Sequence, residues 1–92
     1  MRFTERASRD LDDIGDWIAA GDPDRAAEFL LELRGKALAI GSQPRAFPLV
    51  SGRRDEARRR LYSGYLIFYV IADDEVAITR VLHGARDYSN LL

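Results

Sequence analysis

The fold is decided by two neighbouring stretches late in the chain, Tyr65-Leu-Ile-Phe-Tyr-Val-Ile71 and Glu75-Val-Ala-Ile-Thr-Arg-Val-Leu82. Both are rich in the β-branched and aromatic residues that favour strands. Asp73-Asp74 between them suits a tight turn, so the two stretches predict an antiparallel hairpin. Arg58–Tyr62, which precedes Ser63-Gly64, is expected to add a third strand.

Upstream of these strands, apolar residues recur at spacings of three and four, which predicts two amphipathic helices. The stripes consist of Ala7, Leu11, Ile14 and Ile18 in the first helix and of Ala26, Leu30, Leu33, Ala37 and Ile40 in the second. Thr4 or Ser8 can cap the first helix, and Asp22-Pro23 is suited to begin the second. Ala20-Gly21-Asp22-Pro23 is short, so the helices are expected to form an antiparallel hairpin.

The predicted fold class is therefore α+β. A short N-terminal strand within Met1–Thr4 precedes the two-helix hairpin, and a three-stranded antiparallel meander follows it. The chain of 92 residues fits one domain, here residues 1–92. Pro44 and Pro48 lie in the segment between helices and sheet, which we interpret as a loop with a short extended piece at Phe47–Val50.

Composition excludes several kinds of site. The chain has no cysteine and one histidine, so disulfides, thiolate metal sites and sites with two histidine ligands are excluded. We expect no metal and no cofactor.

The longest apolar run, Tyr65–Ala72, is too short to cross a bilayer, and no apolar signal core is visible near Met1. These features predict a cytoplasmic protein without a membrane partner. The net charge is −1, which does not favour binding to polyanions by bulk electrostatics.

The hairpin is apolar on both faces, whereas a sheet with one face in water normally alternates apolar and polar residues. Simple alternation places Val76, Ile78 and Leu82 on one face and Ala77 and Val81 on the other. Two helices can cover only one face, so we expect the other to be a docking surface for a second chain. Alternatively, the tail Tyr88–Leu92 folds back over it.

Three segments resemble a known family: Arg60-Leu61, Gly64-Tyr-Leu-Ile-Phe-Tyr69, and Val76-Ala-Ile-Thr-Arg-Val-Leu-His-Gly-Ala-Arg-Asp87. They resemble the ParE branch of the RelE/ParE superfamily, the toxins of type II toxin–antitoxin modules. The helical half agrees through Ala7, Asp10-Leu11, Ile14, Ala26-Ala27, Phe29 and Leu33.

The resemblance implies a helix hairpin packed on an antiparallel sheet and a cognate antitoxin whose C-terminal segment wraps around the toxin. It also implies growth arrest through binding and inhibition of DNA gyrase, a part in plasmid stabilisation, and contact with operator DNA only through the antitoxin. Two alternatives stay open. One is a ribosome-dependent mRNA endonuclease of RelE type, and the other is a nontoxic relative that acts only as a binding partner.

The target-binding residues that the resemblance suggests are Arg59, Arg60, His83 and Arg86. A nuclease would use His83, Arg86 and Tyr88, since RNA cleavage needs a base, cations and an acid. Lysine is absent from the sheet region, and Tyr88 follows Arg86 more closely than in RelE-type tails. We therefore favour a binding inhibitor over an enzyme, with no catalytic residue. For His83, the plainer interpretation is an imidazole that caps backbone groups of the turn.

The residues expected to bind the antitoxin are Trp17, Tyr65, Ile78, Arg80 and Leu82. Arg80 would receive an antitoxin carboxylate, or else pair with Glu75 or Asp87 of its own chain. Trp17 is otherwise expected in the core or in the helix hairpin. The acidic residues of the first helix are attributed to helix-start electrostatics and a solvated face.

Overall fold

A computed structural model describes residues 1–85 and 91–92. Its elements are β1 (Arg2–Phe3), α1 (Glu5–Ala19), α2 (Pro23–Ile40), β2 (Arg58–Tyr62), β3 (Tyr65–Ala72) and β4 (Glu75–His83). The strands form one sheet in the order β1-β4-β3-β2. The α+β class and the order of elements are confirmed. β1 pairs with β4 in parallel, so the described sheet is mixed, not purely antiparallel.

Both helices begin at capping residues that the sequence offered. The backbone N–H of Ala7 donates to Thr4 Oγ1 (3.1 Å), which makes Thr4 the N-cap of α1, and Ser8 lies inside the helix. The N–H of Arg25 donates to Asp22 Oδ1 (3.1 Å) at the start of α2. Each side chain satisfies a backbone donor that has no partner within the helix.

A β-bulge interrupts the pairing of β3 with β4. Phe68 lies opposite Arg80, whereas the next residue, Tyr69, lies opposite Ile78. Thr79 is therefore the extra residue on β4, and its hydroxyl donates to the carbonyl of Phe68 (3.2 Å). Such a bulge reverses the alternation of side chains beyond it. The prediction that Leu82 shares a face with Ile78 is therefore wrong.

The helices cover one face of the sheet. Their buried side chains pack there with Ile67, Tyr69, Val76, Ile78 and Val81. The bulge allows Val81, as well as Val76 and Ile78, to face the helices. Ile78 is 0% exposed, so it belongs to the centre of this core.

The opposite face carries Leu66, Phe68 and Leu82, all of them buried. Val50 and Ala57 from the loop before β2 pack on it, and so do Leu91 and Leu92, both partly buried. The N–H of Val50 donates to the carbonyl of Ala57 (2.7 Å), which folds the loop over the sheet. The prediction that this face stays open for a partner is therefore wrong, because the chain supplies its own cover.

Within residues 1–85 and 91–92, neither helix is both long and apolar enough to span a bilayer.

Candidate functional site

An open groove of about 570 Å³ lies between α1 and the ends of β3 and β4. Its lining residues are Asp10, Asp13, Ile14, Trp17, Tyr65, Val81, Leu82 and His83. The four residues from α1 are spaced by three, one and three positions, so they project from one side of that helix. We call this site the α1–β4 groove.

Trp17 stands at the rim of the groove, near the end of α1. Its side chain is 78% exposed, the highest value among the large apolar residues of the described chain. The interpretation of Trp17 as a core or hairpin residue is therefore wrong. Ile14 and Ile18 on either side turn toward the core instead. An indole combines a large apolar surface with one N–H donor, which suits it to anchor a partner chain.

An aromatic corner forms the other wall. The rings of Tyr65 and His83 meet edge to face with 5.2 Å between centroids, and Tyr65 also contacts Phe29 at 5.4 Å. The N–H of Ala85 donates to His83 Nδ1 (3.1 Å). The imidazole thus caps the turn as predicted. His83 is exposed, which leaves its edge available at the groove.

An ion pair joins Asp10, which lines the groove, to Arg80. Asp10 is 5% exposed and accepts from Arg80 Nε (2.8 Å), Arg80 Nη2 (3.2 Å) and the backbone N–H of Val81 (2.9 Å). Arg80 Nη1 donates in addition to the carbonyl of Leu91 (2.6 Å). Arg80 is buried against Asp10 and does not pair with Glu75, so its predicted contact with an antitoxin carboxylate and its predicted pairing with Glu75 are corrected. Asp87 lies outside the described residues.

The prediction of a solvated helix face is wrong for Asp10. This residue lies among Ala7, Leu11 and Ile14 on the apolar stripe of α1 and is buried. Residues at i, i+3, i+4 and i+7 share one face of a helix. An acidic residue inside such a stripe signals a buried carboxylate, and a buried carboxylate needs a cation or several N–H donors.

Two further residues predicted to bind the antitoxin are buried. Ile78 lies in the core under the helices, and Leu82 is buried on the opposite face with only an edge at the groove. Of the five residues predicted for this role, Trp17 and Tyr65 remain as surface candidates at the groove. These corrections have two causes, since burial and the bulge together decide which side chains are accessible.

The predicted target-binding residues do not converge within the described chain. Arg60 Nη1 donates to the carbonyl of Lys36 (2.9 Å), and its guanidinium lies 4.8 Å from the ring centre of Phe47. Arg59 is half-buried beside Leu61 on β2, separated by β3 from His83 on β4. Arg86 and Tyr88 lie outside the described residues.

A second polar cluster joins α2 to the sheet. Glu32 accepts from the hydroxyl of Tyr62 (2.5 Å) and from Arg25 Nη1 (2.7 Å). The hydrogen bond from Tyr62, followed by that from Arg25, lowers the pKa of Glu32, and the same bond raises the pKa of Tyr62. No cluster of three potential metal ligands occurs among residues 1–85 and 91–92.

Comparisons with known proteins agree on one family. The family model described as "ParE toxin of type II toxin-antitoxin system, parDE" matches residues 1–88. A protein of Sinorhizobium fredii (strain NBRC 101917 / NGR234), named "Putative toxin Y4kP", is 34% identical over 97 aligned positions that cover 100% of this chain and 95% of the relative.

A solved structure shares the fold. It is titled "Chromosomal ParDE TA system from P. aeruginosa" and superposes with a TM-score of 0.77, covering 89% of this chain and 91% of its own. Sequence identity between the two chains is 17%.

Proposed function

This chain belongs to the ParE toxin family of type II toxin–antitoxin systems, and from that premise we propose that it arrests growth by binding DNA gyrase in the cytoplasm and is neutralised by a cognate antitoxin in the α1–β4 groove. The observation that carries the antitoxin assignment is the exposed Trp17 beside an apolar groove. The gyrase assignment rests on the family resemblance. It is also supported by Arg80, whose guanidinium is held in an ion pair with Asp10 and so is not available to a nuclease site.

The groove has the composition of a peptide-docking site. Ile14, Tyr65 and Val81 supply an apolar wall, while Asp13 and His83 offer polar groups at the rim. Sites of this kind bind a chain through a buried aromatic or aliphatic anchor surrounded by hydrogen-bonding groups. An antitoxin segment that covers Trp17 would remove a large apolar surface from water.

A binding inhibitor is favoured over a nuclease because the guanidinium of Arg80 already has hydrogen-bond partners within the chain. Metal-free RNA cleavage needs a cation to stabilise the charged phosphorane. Arg80 is the arginine that shares β4 with His83, and its guanidinium is engaged by Asp10 and the carbonyl of Leu91. Arg59, Arg60, His83 and Arg86 remain the proposed contacts with the target.

The proposal is tested with the purified chain and purified gyrase. We expect inhibition of plasmid supercoiling, or accumulation of cleaved DNA, at stoichiometric amounts of toxin. Arg86→Ala should weaken this effect while antitoxin binding is retained. Arg54→Ala, a substitution of an exposed arginine in the loop, is the matched control and should behave as the parent.

Expression in cells without antitoxin distinguishes the alternatives. Early arrest of DNA synthesis with intact mRNA supports gyrase as the target. Codon-linked mRNA cleavage that precedes any effect on DNA synthesis would establish an endonuclease instead. Normal growth with folded protein present would identify a nontoxic binding partner. Equal toxicity of Arg86→Ala and the parent would remove Arg86 from the target-binding set.

A further inference from the structure

The α1–β4 groove contains a carboxylate whose charge is not compensated within the described part of the chain. The titratable side chains that line the groove are those of Asp10, Asp13, Tyr65 and His83. Asp10 pairs with Arg80, whereas Asp13 is exposed and makes no ion pair or side-chain hydrogen bond with any described residue. No lysine or arginine is among the described lining residues. Asp13 therefore gives a negative charge to a groove whose walls are mainly apolar.

The neighbouring sequence does not supply a cation either. The stretch Asp10–Asp24 contains six aspartates and neither lysine nor arginine. Arg9 precedes Asp13 by one helical turn, but its guanidinium lies toward Glu5 (3.9 Å), and it does not line the groove. A counter-charge for Asp13 is therefore expected to come from the chain that binds in the groove.

Asp13 and Trp17 lie on the same side of α1. At about 100° per residue, four positions place them within about 40° of each other around the helix axis. Both line the groove, and Trp17 is largely exposed. A guanidinium can stack on an indole while it pairs with a carboxylate, and an ammonium group is less suited to this combination. The two side chains together therefore fit one arginine of a partner.

Loss of water makes this contact selective. A partner segment that covers Trp17 also removes water from Asp13, one turn away. A carboxylate that loses water is costly unless it gains a cation or several N–H donors. An acidic side chain placed beside it would add repulsion between like charges. Asp13 thus favours a basic segment and disfavours an acidic one.

We propose that the antitoxin segment in the α1–β4 groove carries an arginine next to its apolar anchor, and that Asp13 recognises this arginine against the indole of Trp17. The apolar anchor lies against Ile14 and Val81. This inference rests on the proposed function, because it requires that the antitoxin occupies this groove. It adds the charge of the docking segment, which the apolar wall alone does not specify.

Titration with the cognate antitoxin, isolated through its complex with the chain, tests the proposal. Trp17 is the only tryptophan of the chain, so a change in its fluorescence shows that the antitoxin occupies the groove. Asp13→Asn removes the charge and keeps the size of the side chain, and it should raise the dissociation constant about 5- to 10-fold. Asp12→Asn is the matched control, since Asp12 is exposed on the same helix but lies about 140° from Trp17 around the axis.

Salt provides a second measurement. The Debye length falls from about 10 Å at 0.1 M salt to about 3 Å at 1 M, so the affinity of the parent should fall as salt is added. Asp13→Asn should lose less affinity over the same range, and Asp12→Asn should behave as the parent. Asp13→Arg should bind more weakly than Asp13→Asn, because it repels the arginine. Thermal unfolding of each variant shows that the fold is retained.

A double-mutant cycle identifies the arginine of the antitoxin. Each arginine of the antitoxin is replaced by glutamine, and each variant is titrated against the parent chain and against Asp13→Asn. For one arginine the two losses should not add, because both changes remove the same contact. Lysine at that position should restore only part of the affinity.

The outcomes distinguish this inference from the proposed function. Equal affinity of Asp13→Asn and the parent, with a clear change in Trp17 fluorescence, would overturn the inference and retain the groove as the docking site. Antitoxin binding without a change in Trp17 fluorescence would overturn the proposed docking site itself. If Arg9→Gln weakens binding as much as Asp13→Asn does, the counter-charge comes from this chain, and the inference is wrong.

Discussion

The carboxylate of Asp10 and the guanidinium of Arg80 are 70 positions apart in sequence and form a two-point ion pair in the interior. Asp10 also accepts the backbone N–H of Val81, and Arg80 also donates to the carbonyl of Leu91. These bonds connect α1, β4 and the end of the chain beneath the groove. Together they fix the position of the helix that carries Trp17.

Removing one member of this pair should be costly. We expect Asp10→Ala to lower the free energy of unfolding by about 3–5 kcal/mol, because a buried guanidinium loses its counter-charge. Urea denaturation measures this difference, with the exposed Asp13→Ala as control. Replacing both members by apolar residues, as in Asp10→Leu with Arg80→Met, should cost less than the single change. A loss below about 1 kcal/mol for Asp10→Ala would show that the pair is of little consequence for stability.

Trp17 should dominate antitoxin binding. Anchor residues of this type contribute at least about 2 kcal/mol, so Trp17→Ala should raise the dissociation constant about 30-fold or more. The free energy of unfolding should change little, since Trp17 is exposed. Isothermal titration calorimetry with the cognate antitoxin makes the measurement, and Leu61→Ala, at a similarly exposed position, is the control. Unchanged affinity for Trp17→Ala would move the docking site away from this groove.

Thr4 connects the start of α1 with the bulge. Its hydroxyl oxygen accepts from Ala7 N–H, and the hydroxyl donates to the carbonyl of Thr79 (3.3 Å). Loss of an N-cap costs about 0.5–2 kcal/mol, so Thr4→Ala should lower the unfolding free energy by an amount in that range. Thr4→Ser keeps the oxygen and should retain most of the stability. Similar losses for both variants would mean that the methyl group, not the hydroxyl, is responsible.

Glu32 should titrate below its ordinary pKa, because Tyr62 and Arg25 both donate to its carboxylate. A carboxyl group whose pKa is lower in the folded state stabilises the fold above its unfolded pKa. This contribution is lost as the pH falls through the folded pKa. Tyr62→Phe should raise the pKa of Glu32 in the folded state, so this contribution becomes smaller and its loss is complete at a higher pH. NMR titration of the Glu32 side chain checks this, with Tyr65→Phe as control, and an unchanged Glu32 pKa in Tyr62→Phe would contradict the role of the hydroxyl.

The elements could be predicted because local patterns determine them. The stripe from Ala7 to Ile18 repeats at the helical period, and Thr4 and Asp22 offer side-chain acceptors where each helix begins. The hairpin follows from two β-rich runs joined by Asp73-Asp74. Each of these signals lies within a few residues, so no knowledge of distant contacts is needed to interpret them.

The site residues could be predicted less well than the elements, because the exposure of a side chain depends on segments that are distant in sequence. A single extra residue, Thr79, reverses the face of every side chain after it on β4, and nothing in the alternation of Val76–Leu82 indicates where the extra residue falls. Alternation therefore predicts Leu82 beside Ile78, and it gives no sign of the cover that Val50 and Ala57 supply. Trp17 and Tyr65 remain surface candidates because both line the groove, and neither lies on the strand that carries the bulge.

By itself the sequence determined the class of fold, the helix starts, the hairpin and the family, since periodicity, caps and short motifs are properties of neighbouring residues. Only the tertiary structure decided that Asp10 pairs with Arg80, that both faces of the sheet are covered, and that Trp17 stays outside. These outcomes depend on which distant segments meet, and contacts across 70 positions are set by how the whole chain packs.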